Sequence, residues 1–275
     1  MTLVETEWRV LPFTVATAAE QLKRSESLWR AVASGGELQT LRWYSYSAPA
    51  VVLGVGQPPS IMDEAACARA GMAVVKRTSG GAAVLADERL LALDVAIPDH
   101  LPLAGRDVVR AYRWLGEVWR EALNALSPAA SMSLSLVGAE AARADQVAQR
   151  CAPAGTAAWA RGWACFGTLS PSEVVLAQGE AWQRKVVGLS QIRKRGVVVF
   201  QVGLYTSTDG HALARLLALP APEREALGEE LHRRTAGLDD IGISPDRLPE
   251  LRRLVTDGIR LASASDVAKA VWPRS

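Results

Sequence analysis

Two short segments of the chain place basic side chains beside glycine, a combination that suits the binding of an anion or a polarised carbonyl group. The first segment, residues 76–84, has the sequence KRTSGGAAV, and the second, residues 184–191, has the sequence RKVVGLSQ. Glycine leaves backbone N–H groups unobstructed, and a neighbouring cation can hold a carboxylate, phosphate or carbonyl oxygen. Together the two segments indicate a site for an acyl group and its activated carbonyl.

The glycine pair of the first segment can present its N–H groups to a carboxylate or phosphate. Ser79, Gly80 and Gly81 follow a predicted strand, and the guanidinium of Arg77 can bind the same anion through two donors. Taken alone, these residues are more typical of an ordinary turn beside a surface arginine, because short glycine motifs have low specificity. The sequence contains no GxxxxGK[ST] pattern, which excludes a P-loop.

The second segment begins with a lysine at the start of an apolar strand. Partial burial of Lys185 would lower its pKa, and a compact ammonium can hold a carbonyl or phosphate oxygen. A solvated lysine at a strand end is the commoner arrangement. Gly188, inside the same strand, favours close approach of a ligand to the backbone.

Cys165, in the sequence ACFG, is the candidate nucleophile. Most intracellular cysteines are inert buried thiols, and a nucleophilic cysteine needs a group that takes its proton. No histidine of the chain lies in or beside a motif: His100, His211 and His232. Lys185 is therefore the available cation for lowering the pKa of the thiol and moving its proton.

The composition predicts a packed globular protein of 275 residues with a net charge of +2. A charge this small does not favour binding to nucleic acid or to a membrane. Cys67, Cys151 and Cys165 form an odd set without CxxC spacing, which argues against a disulfide framework or a zinc ribbon and indicates a reducing compartment. We interpret Cys67 and Cys151 as structural residues. The first ten residues lack the basic start and apolar run of a signal peptide, so a cytoplasmic location is predicted.

Lysine is rare among the cations of this chain. Only five of its 31 basic residues are lysines: Lys23, Lys76, Lys185, Lys194 and Lys269. Because arginine is used almost by default, each lysine raises the question of why a guanidinium would not serve in its place.

Hydrophobic periodicity predicts the elements that position these residues. Residues 73–75 are predicted as a short buried strand that leads into the first segment, and residues 107–126 as an amphipathic helix. Further strands are predicted at residues 90–97, 173–177, 185–189 and 197–204, and further helices at residues 220–234 and 249–262. Residues 127–163 are rich in alanine, serine and proline and give no clear pattern.

Residues 5–205 resemble the catalytic family of biotin and lipoate protein ligases. Residues 76–81 are similar to the family's R-R-x-[ST]-G-G loop, and residues 184–191 to its G-[RK]-K-[IVF]-[AVS]-G-x-[AS]-Q strand. The order and the spacing of the two segments also agree with the family pattern. This agreement outweighs the ordinary interpretation of each segment alone. The resemblance implies an α+β fold in which a mixed β-sheet domain flanked by helices, residues 5–210, is followed by a small helical C-terminal extension, residues 211–275.

Within that family, the segment from Cys165 through Glu173 to the lysine strand is most similar to the cysteine-dependent octanoyltransferases. The resemblance implies that Cys165 accepts an octanoyl or lipoyl group from a carrier and that the acceptor lysine of a lipoyl domain then attacks the thioester. Lys185 would orient the carbonyl and help to deprotonate the thiol. No metal is implied, and the substrate-binding residues implied are Arg77, Thr78, Ser79, Gly80, Gly81, Ala82, Val187, Gly188 and Ser190.

The chain departs from the family pattern at two positions where many relatives have histidine. Ala86–Asp87 stands in place of His-Asp, and Gln201–Val202–Gly203 in place of Gln-His-Gly. Two alternatives therefore stay open: an ATP-dependent lipoate–protein ligase, which would use ATP and Mg²⁺, and a non-catalytic relative that binds an acyl group or a carrier. The transferase requires no cofactor. A biotin ligase fits the cysteine segment least well.

The resemblance also implies the partners of the protein. The acceptors are lipoyl-domain proteins such as the glycine cleavage H protein and the E2 subunits of 2-oxoacid dehydrogenases. The donor is an acyl carrier protein or an octanoylated H protein. Neither nucleic acid nor a membrane is an expected partner, and the protein is predicted to be a monomer.

Overall fold

The computed structural model describes residues 8–35, 38–127, 133–178 and 182–264. Within these ranges the strands are β1 (Trp8–Ala16), β2 (Gln39–Tyr46), β3 (Ala50–Leu53), β4 (Ala73–Lys76), β5 (Val84–Ala86), β6 (Leu90–Pro98), β7 (Ser133–Leu136), β8 (Val174–Gln178), β9 (Trp182–Lys194) and β10 (Val197–Tyr205). The helices are α1 (Ala18–Ala33), α2 (Glu64–Arg69), α3 (Arg113–Leu126), α4 (Ala139–Cys151), α5 (Ala157–Ala160), α6 (Gly210–Ala214), α7 (Ala221–Arg234) and α8 (Leu248–Ala264).

A seven-stranded mixed sheet forms the centre of the molecule, in the order β1-β2-β6-β10-β9-β8-β7. Strand β1 pairs with β2 in parallel, and the other neighbours are antiparallel. The central strands β6 and β10 are long apolar runs, which suits strands covered on both faces. Helices α3 and α8 pack together at one apolar cluster, and α1 packs against the sheet elsewhere. The predicted α+β fold is confirmed.

A second, three-stranded sheet has the order β4-β3-β5 and carries the first glycine segment between β4 and β5. We call residues 77–83 the glycine loop. Strand β3 is fully buried, whereas Ala73 and Val74 of β4 are exposed. The prediction of a buried strand at residues 73–75 was therefore right about the strand and wrong about its burial, because β4 is an edge strand that pairs only with β3.

The predicted helix at residues 107–126 begins later than its apolar pattern indicated. The α-helix starts at Arg113, after a 3₁₀ turn at Arg110–Tyr112. Asp107 Oδ1 accepts hydrogen bonds from the N–H groups of Val109 and Arg110, which stabilises a turn instead of a further helical turn. Residues 127–163, which gave no clear pattern, include β7, α4 and α5.

The segment after β10 packs onto the same cores as the strands. Leu238, Leu251 and Ile259 belong to the cluster that covers the large sheet, and α6 and α7 contribute to a cluster around Leu53 and Ala164. The division of the chain at residue 210 stays a prediction. Among the described residues, no helix has the length and apolar character needed to cross a membrane.

Candidate active site

The cysteine segment lies directly beside the end of the glycine loop. Cys165 begins a 3₁₀ turn, Cys165–Gly167, and Ala164 before it is extended. The N–H of Ala83 donates to the carbonyl of Trp163, and the N–H of Cys165 donates to the carbonyl of Ala83, each at 2.8 Å. Two residues separated by more than eighty positions in the chain are thus joined by a short parallel bridge.

The glycine loop keeps its shape through a close backbone contact and a buried guanidinium. Gly81 has a φ of +92°, a conformation that favours glycine. A Cβ atom on Gly54 would lie 1.8 Å from the carbonyl oxygen of Gly81, so only glycine lets the loop approach β3 this closely. The N–H of Val55 also donates to the carbonyl of Ser79 at 2.9 Å.

Arg77 is buried within this loop, and its donors are directed to backbone carbonyls. Its guanidinium donates to the carbonyl oxygens of Gly80 and Ala82, with shortest distances of 2.9 Å to each, and to that of Val52 at 3.4 Å. The anion-binding role expected of Arg77 is therefore not formed in this structure, where the side chain holds the loop. That role stays a prediction.

Lys185 lies on β9 and is 1% exposed. Its ammonium donates to the backbone carbonyls of Cys165 at 2.7 Å and Thr168 at 3.0 Å, and it forms an ion pair with Glu173 at 2.8 Å. Burial acts to lower the pKa of Lys185, but the charge of Glu173 and the neighbouring Cys165 raise it above its ordinary value. The lysine is thus a protonated group that holds the cysteine segment against the sheet.

The expectation that Lys185 helps to deprotonate the thiol stays a prediction, and this arrangement does not favour it. All three ammonium donors have acceptors, and a raised pKa makes the side chain a poor proton acceptor. The contact of Lys185 with Cys165 is made through the Cys165 carbonyl oxygen. What the geometry provides is a fixed ammonium–carboxylate pair beside Cys165, with the ammonium directed to the Cys165 carbonyl.

Cys165 is half-buried and lines a cleft of about 570 Å³, counted out to open solvent. The cleft lies between the glycine-loop side of the molecule and strands β2, β6, β9 and β10. Most of the lining is apolar, as in pockets that bind small molecules through shape and a few polar groups. The apolar side chains are Leu22, Val52, Val84, Leu90, Ala92, Phe166, Leu189 and Val202. We call it the Cys165 cleft.

The structure brings four of the predicted site residues into the lining of this cleft: Cys165, Arg77, Gly188 and Ser190. Lys185 and Val187 are buried next to it and are not part of the lining. Thr78 lines a neighbouring groove instead. The remaining predicted residues belong to the glycine loop without lining the cleft: Ser79, Gly80, Gly81 and Ala82.

A buried polar network that the sequence analysis did not predict lies at one side of the cleft. Asp94, on β6, forms an ion pair with Arg42 at 2.7 Å. Asp94 Oδ1 also accepts from the hydroxyl of Tyr44 at 3.2 Å and from the amide of Gln201 at 3.4 Å, and both of these side chains line the cleft. Burial raises the pKa of Tyr44 well above its usual range, so it remains a neutral donor.

Glu173 is a buried residue of the site that the sequence analysis named without giving it a role. Its other contacts are the N–H groups of Ser170 at 2.8 Å and Leu189 at 3.2 Å, so it fixes the cysteine segment and the lysine strand together. The sequence signal for this role is the position of Glu173, at the start of a predicted hairpin whose other strand begins with Lys185. Among the described residues of the cleft lining there is no histidine.

The chain belongs to the family whose model is described as the lipoyl protein ligase A/B catalytic domain, which matches residues 17–257. The family resemblance predicted from the two segments is confirmed. Among curated relatives, the octanoyltransferase LipM of Exiguobacterium sp. strain AT1b is 27% identical over 86% of this chain and 79% of its own length. The octanoyltransferase LipM of Symbiobacterium thermophilum is 30% identical over 79% of this chain and 72% of its own length.

Two solved lipoate–protein ligases have the same fold as this chain. A bi-partite lipoate protein ligase from Thermoplasma acidophilum superposes with a TM-score of 0.67 at 18% identity, covering 98% of this chain and 93% of that one. A lipoate-protein ligase A bound with ATP superposes with a TM-score of 0.63 at 18% identity, covering 98% and 95%. At this level of identity the similarity establishes the fold.

Proposed function

We propose that this protein is an octanoyltransferase that uses Cys165 as its nucleophile and modifies lipoyl domains. The predicted class, an acyltransferase of protein lipoylation, is confirmed by the octanoyltransferase relatives. One observation carries the assignment of the nucleophile. Cys165 lines an apolar cleft together with Gly188 and Ser190, while its carbonyl is fixed by the buried ammonium of Lys185.

The first half of the reaction transfers the octanoyl group to the protein. The sulfur of Cys165 attacks the carbonyl carbon of the acyl donor, a bond from that carbon to sulfur forms, and the bond to the carrier breaks. The carrier leaves with a proton, and the octanoyl chain stays in the apolar cleft. The fixed charge of Lys185 favours the negative charge that develops beside Cys165.

The second half regenerates the thiol. The neutral amine of the acceptor lysine attacks the thioester carbonyl, an amide bond forms, and the bond to the sulfur of Cys165 breaks. One proton passes from the amine to the departing sulfur, directly or through solvent. The energy of the thioester drives the transfer, so this route consumes no ATP.

The proposal includes the class of partners. The acceptor is a lipoyl domain of the glycine cleavage H protein or of an E2 subunit, and the donor is an acyl carrier protein or an octanoylated H protein. Support comes from one ligase of the same fold, which was described together with its E2 lipoyl domain. Action in the cytoplasm as a monomer completes the proposal.

An ATP-dependent ligase is the second candidate, and one observation favours it. A lipoate-protein ligase A bound with ATP has the same fold over nearly the whole chain. In such an enzyme the glycine loop, Arg77 and Lys185 would hold an acyl-adenylate with Mg²⁺, and Cys165 would have no chemical role.

Intact-mass measurement after incubation with an octanoyl thioester tests the nucleophile. We expect one octanoyl adduct on the wild-type protein and on Cys151→Ala, which removes an exposed cysteine as a control, and none on Cys165→Ala. We expect transfer to a lipoyl domain without ATP. A fully active Cys165→Ala protein that depends strictly on ATP would establish the ligase instead.

A further inference from the structure

A second groove adjoins the Cys165 cleft, between α1 and strands β4, β9 and β10. Its volume is about 1100 Å³, counted out to open solvent. Leu22, Arg77 and Gln201 line both the groove and the cleft, so the two spaces share a boundary. Three exposed lysines line the groove as well: Lys23, Lys76 and Lys194. We call it the lysine groove.

The lysines of this chain are concentrated at the site. Four of the five lysines in the sequence lie in the part that the structure describes. Three of them line the groove, and the other is Lys185 beside Cys165. Arginine supplies the remaining 26 basic residues, and Arg77 is the arginine in the described lining of the groove. An ammonium on a flexible stem is a hydrated point charge that forms and releases contacts readily, whereas a guanidinium favours fixed bidentate pairs.

Among the residues that the structure describes, the three lysines of the groove have no close ion-pair partner, although hydrogen bonds from Thr17, together with the charge of Lys23, lower the pKa of Glu20. Within the described ranges, no carboxylate forms an ion pair with Lys23, Lys76 or Lys194, although other exposed cations of the chain do have such partners. Glu26 is the acidic residue in the described lining, and it pairs with Arg30 at 2.8 Å. The groove is therefore a positive surface with free ammonium groups.

An aromatic ring on one side of the lysine groove holds two cations near it. Trp29 lines the groove, and the ammonium of Lys194 lies 5.1 Å from the centre of its ring. The guanidinium of Arg195 lies 5.8 Å from the same ring. Contacts of this kind hold cations near a surface without removing their charge.

We infer that the lysine groove is the docking surface for an acidic face of the lipoyl domain, whose acceptor lysine reaches Cys165 across the shared boundary. The inference rests on the proposed octanoyl transfer and specifies how its protein substrate is recognised. Unpaired positive charge complements an acidic carrier, and such charges raise the rate of encounter more than they tighten the complex. A transferase must release its product, so rapid encounter with a weakly bound carrier suits this reaction.

Charge reversal in the groove separates docking from chemistry. In Lys23→Glu/Lys194→Glu, we expect kcat/KM for the lipoyl domain to fall about 10- to 100-fold at low salt. Acylation of Cys165 by a small uncharged octanoyl thioester should be unchanged, because that donor needs no docking surface. Lys76 is left intact because it directly precedes the glycine loop.

A matched control carries the same change in net charge elsewhere. Arg106→Glu/Arg143→Glu alters two exposed cations that do not line the groove, and we expect transfer within about twofold of wild type. The defect of the groove variant should shrink as salt rises to about 1 M, where charges are screened within about 3 Å. A lipoyl domain with two acidic surface residues changed to lysine should restore part of the rate.

Three outcomes would overturn the inference. Normal transfer by a groove variant that still forms the acyl-enzyme would show that the lipoyl domain docks elsewhere. An equal loss in both double variants would show a nonspecific charge effect. Loss of ATP-dependent activation of octanoate, with docking intact, would make the groove a nucleotide-phosphate site. Failure of the wild-type protein to form any acyl-enzyme would instead refute the proposed function.

Discussion

The buried ion pair between Lys185 and Glu173 fixes the cysteine segment through its backbone. Both side chains are at most 2% exposed, and their remaining hydrogen bonds go to the cysteine segment and to β9. A buried pair contributes little net stability compared with apolar side chains, but loss of one partner leaves an uncompensated charge. The pair therefore sets the position of Cys165 more than it stabilises the fold.

Glu173→Gln tests this role. We expect the free energy of unfolding to fall by about 3–5 kcal/mol in urea titrations, because Lys185 loses its counter-charge while it stays buried. In Lys185→Met/Glu173→Leu, the free energy of unfolding should fall much less than the sum of the losses in the two single variants. Despite its stability, this double variant should fail to form the acyl-enzyme.

Asp257→Asn is the control for that experiment. It breaks an exposed pair with Arg253 on α8 and should cost at most about 0.5 kcal/mol. If Glu173→Gln were as stable as this control, the pair would not be the structural element described above.

Sequence predicted one half of this pair. Lys185 could be singled out because lysine is rare in this chain and this one precedes an apolar run that contains a glycine. Its partner was not, because the contact depends on an irregular register between β8 and β9, where Val174 pairs with Val187 but Val175 pairs with Lys185. A register shift of this kind leaves no periodic signal along one strand.

The glycine loop is held against β3 and the residues that follow it by several backbone contacts. The Gly81 carbonyl occupies the space that a side chain on Gly54 would need, and the Arg77 guanidinium holds the carbonyls of Gly80 and Ala82. Because Ala83 at the end of this loop pairs with the cysteine segment, the loop geometry also determines where Cys165 lies.

Gly54→Ala should displace the loop and impair transfer. The added methyl group would lie 1.8 Å from a backbone oxygen that no rotamer change can move, so we expect about 1–3 kcal/mol of destabilisation and a loss of acyl-enzyme formation.

Gly56→Ala provides the matched comparison, because nothing lies within 4 Å of its added atom. Thermal unfolding and intact-mass assays on both variants check the prediction. Equal behaviour of the two would show that the loop does not depend on this contact.

The elements differ in how far sequence could predict them. Strands β6 and β10 were predictable because their apolar runs are long enough to identify a covered strand. Strand β7 was not, because an alternation of serine and leucine over four residues is too short to stand out in a serine- and alanine-rich segment. It pairs with β8 in the structure. Likewise, β4 is apolar in sequence but lies at an edge, a position that only the whole sheet determines.

At the scale of the whole molecule, the segment after β10 contacts both the lysine strand and the core that covers the large sheet. The N–H of Ala236 donates to the carbonyl of Lys185 at 2.9 Å, and Arg184 donates to the carbonyl of Thr235 at 2.7 Å. Leu251, Val255 and Ile259 are fully buried in the cluster that covers the large sheet. The lysine strand thus depends on residues far along the chain.

Truncation after residue 210 tests how the chain divides. The shared clusters lead us to expect that residues 1–210 do not fold cooperatively, as measured by urea unfolding followed by circular dichroism. In the full chain, Leu251→Ala should lower the free energy of unfolding by about 2–5 kcal/mol, because it leaves a cavity in the core. A truncated protein that unfolds cooperatively would support two separate domains.

The backbone bridge between Ala83 and the cysteine segment couples the glycine loop to Cys165. Its hydrogen bonds lie on both sides of Ala164, so an outward movement of the loop would carry the sulfur with it. In the proposed reaction, such a movement would separate the sulfur from the acyl carbonyl and expose the octanoyl thioester to hydrolysis. We therefore expect the lipoyl domain to approach from the lysine groove while the loop stays in place.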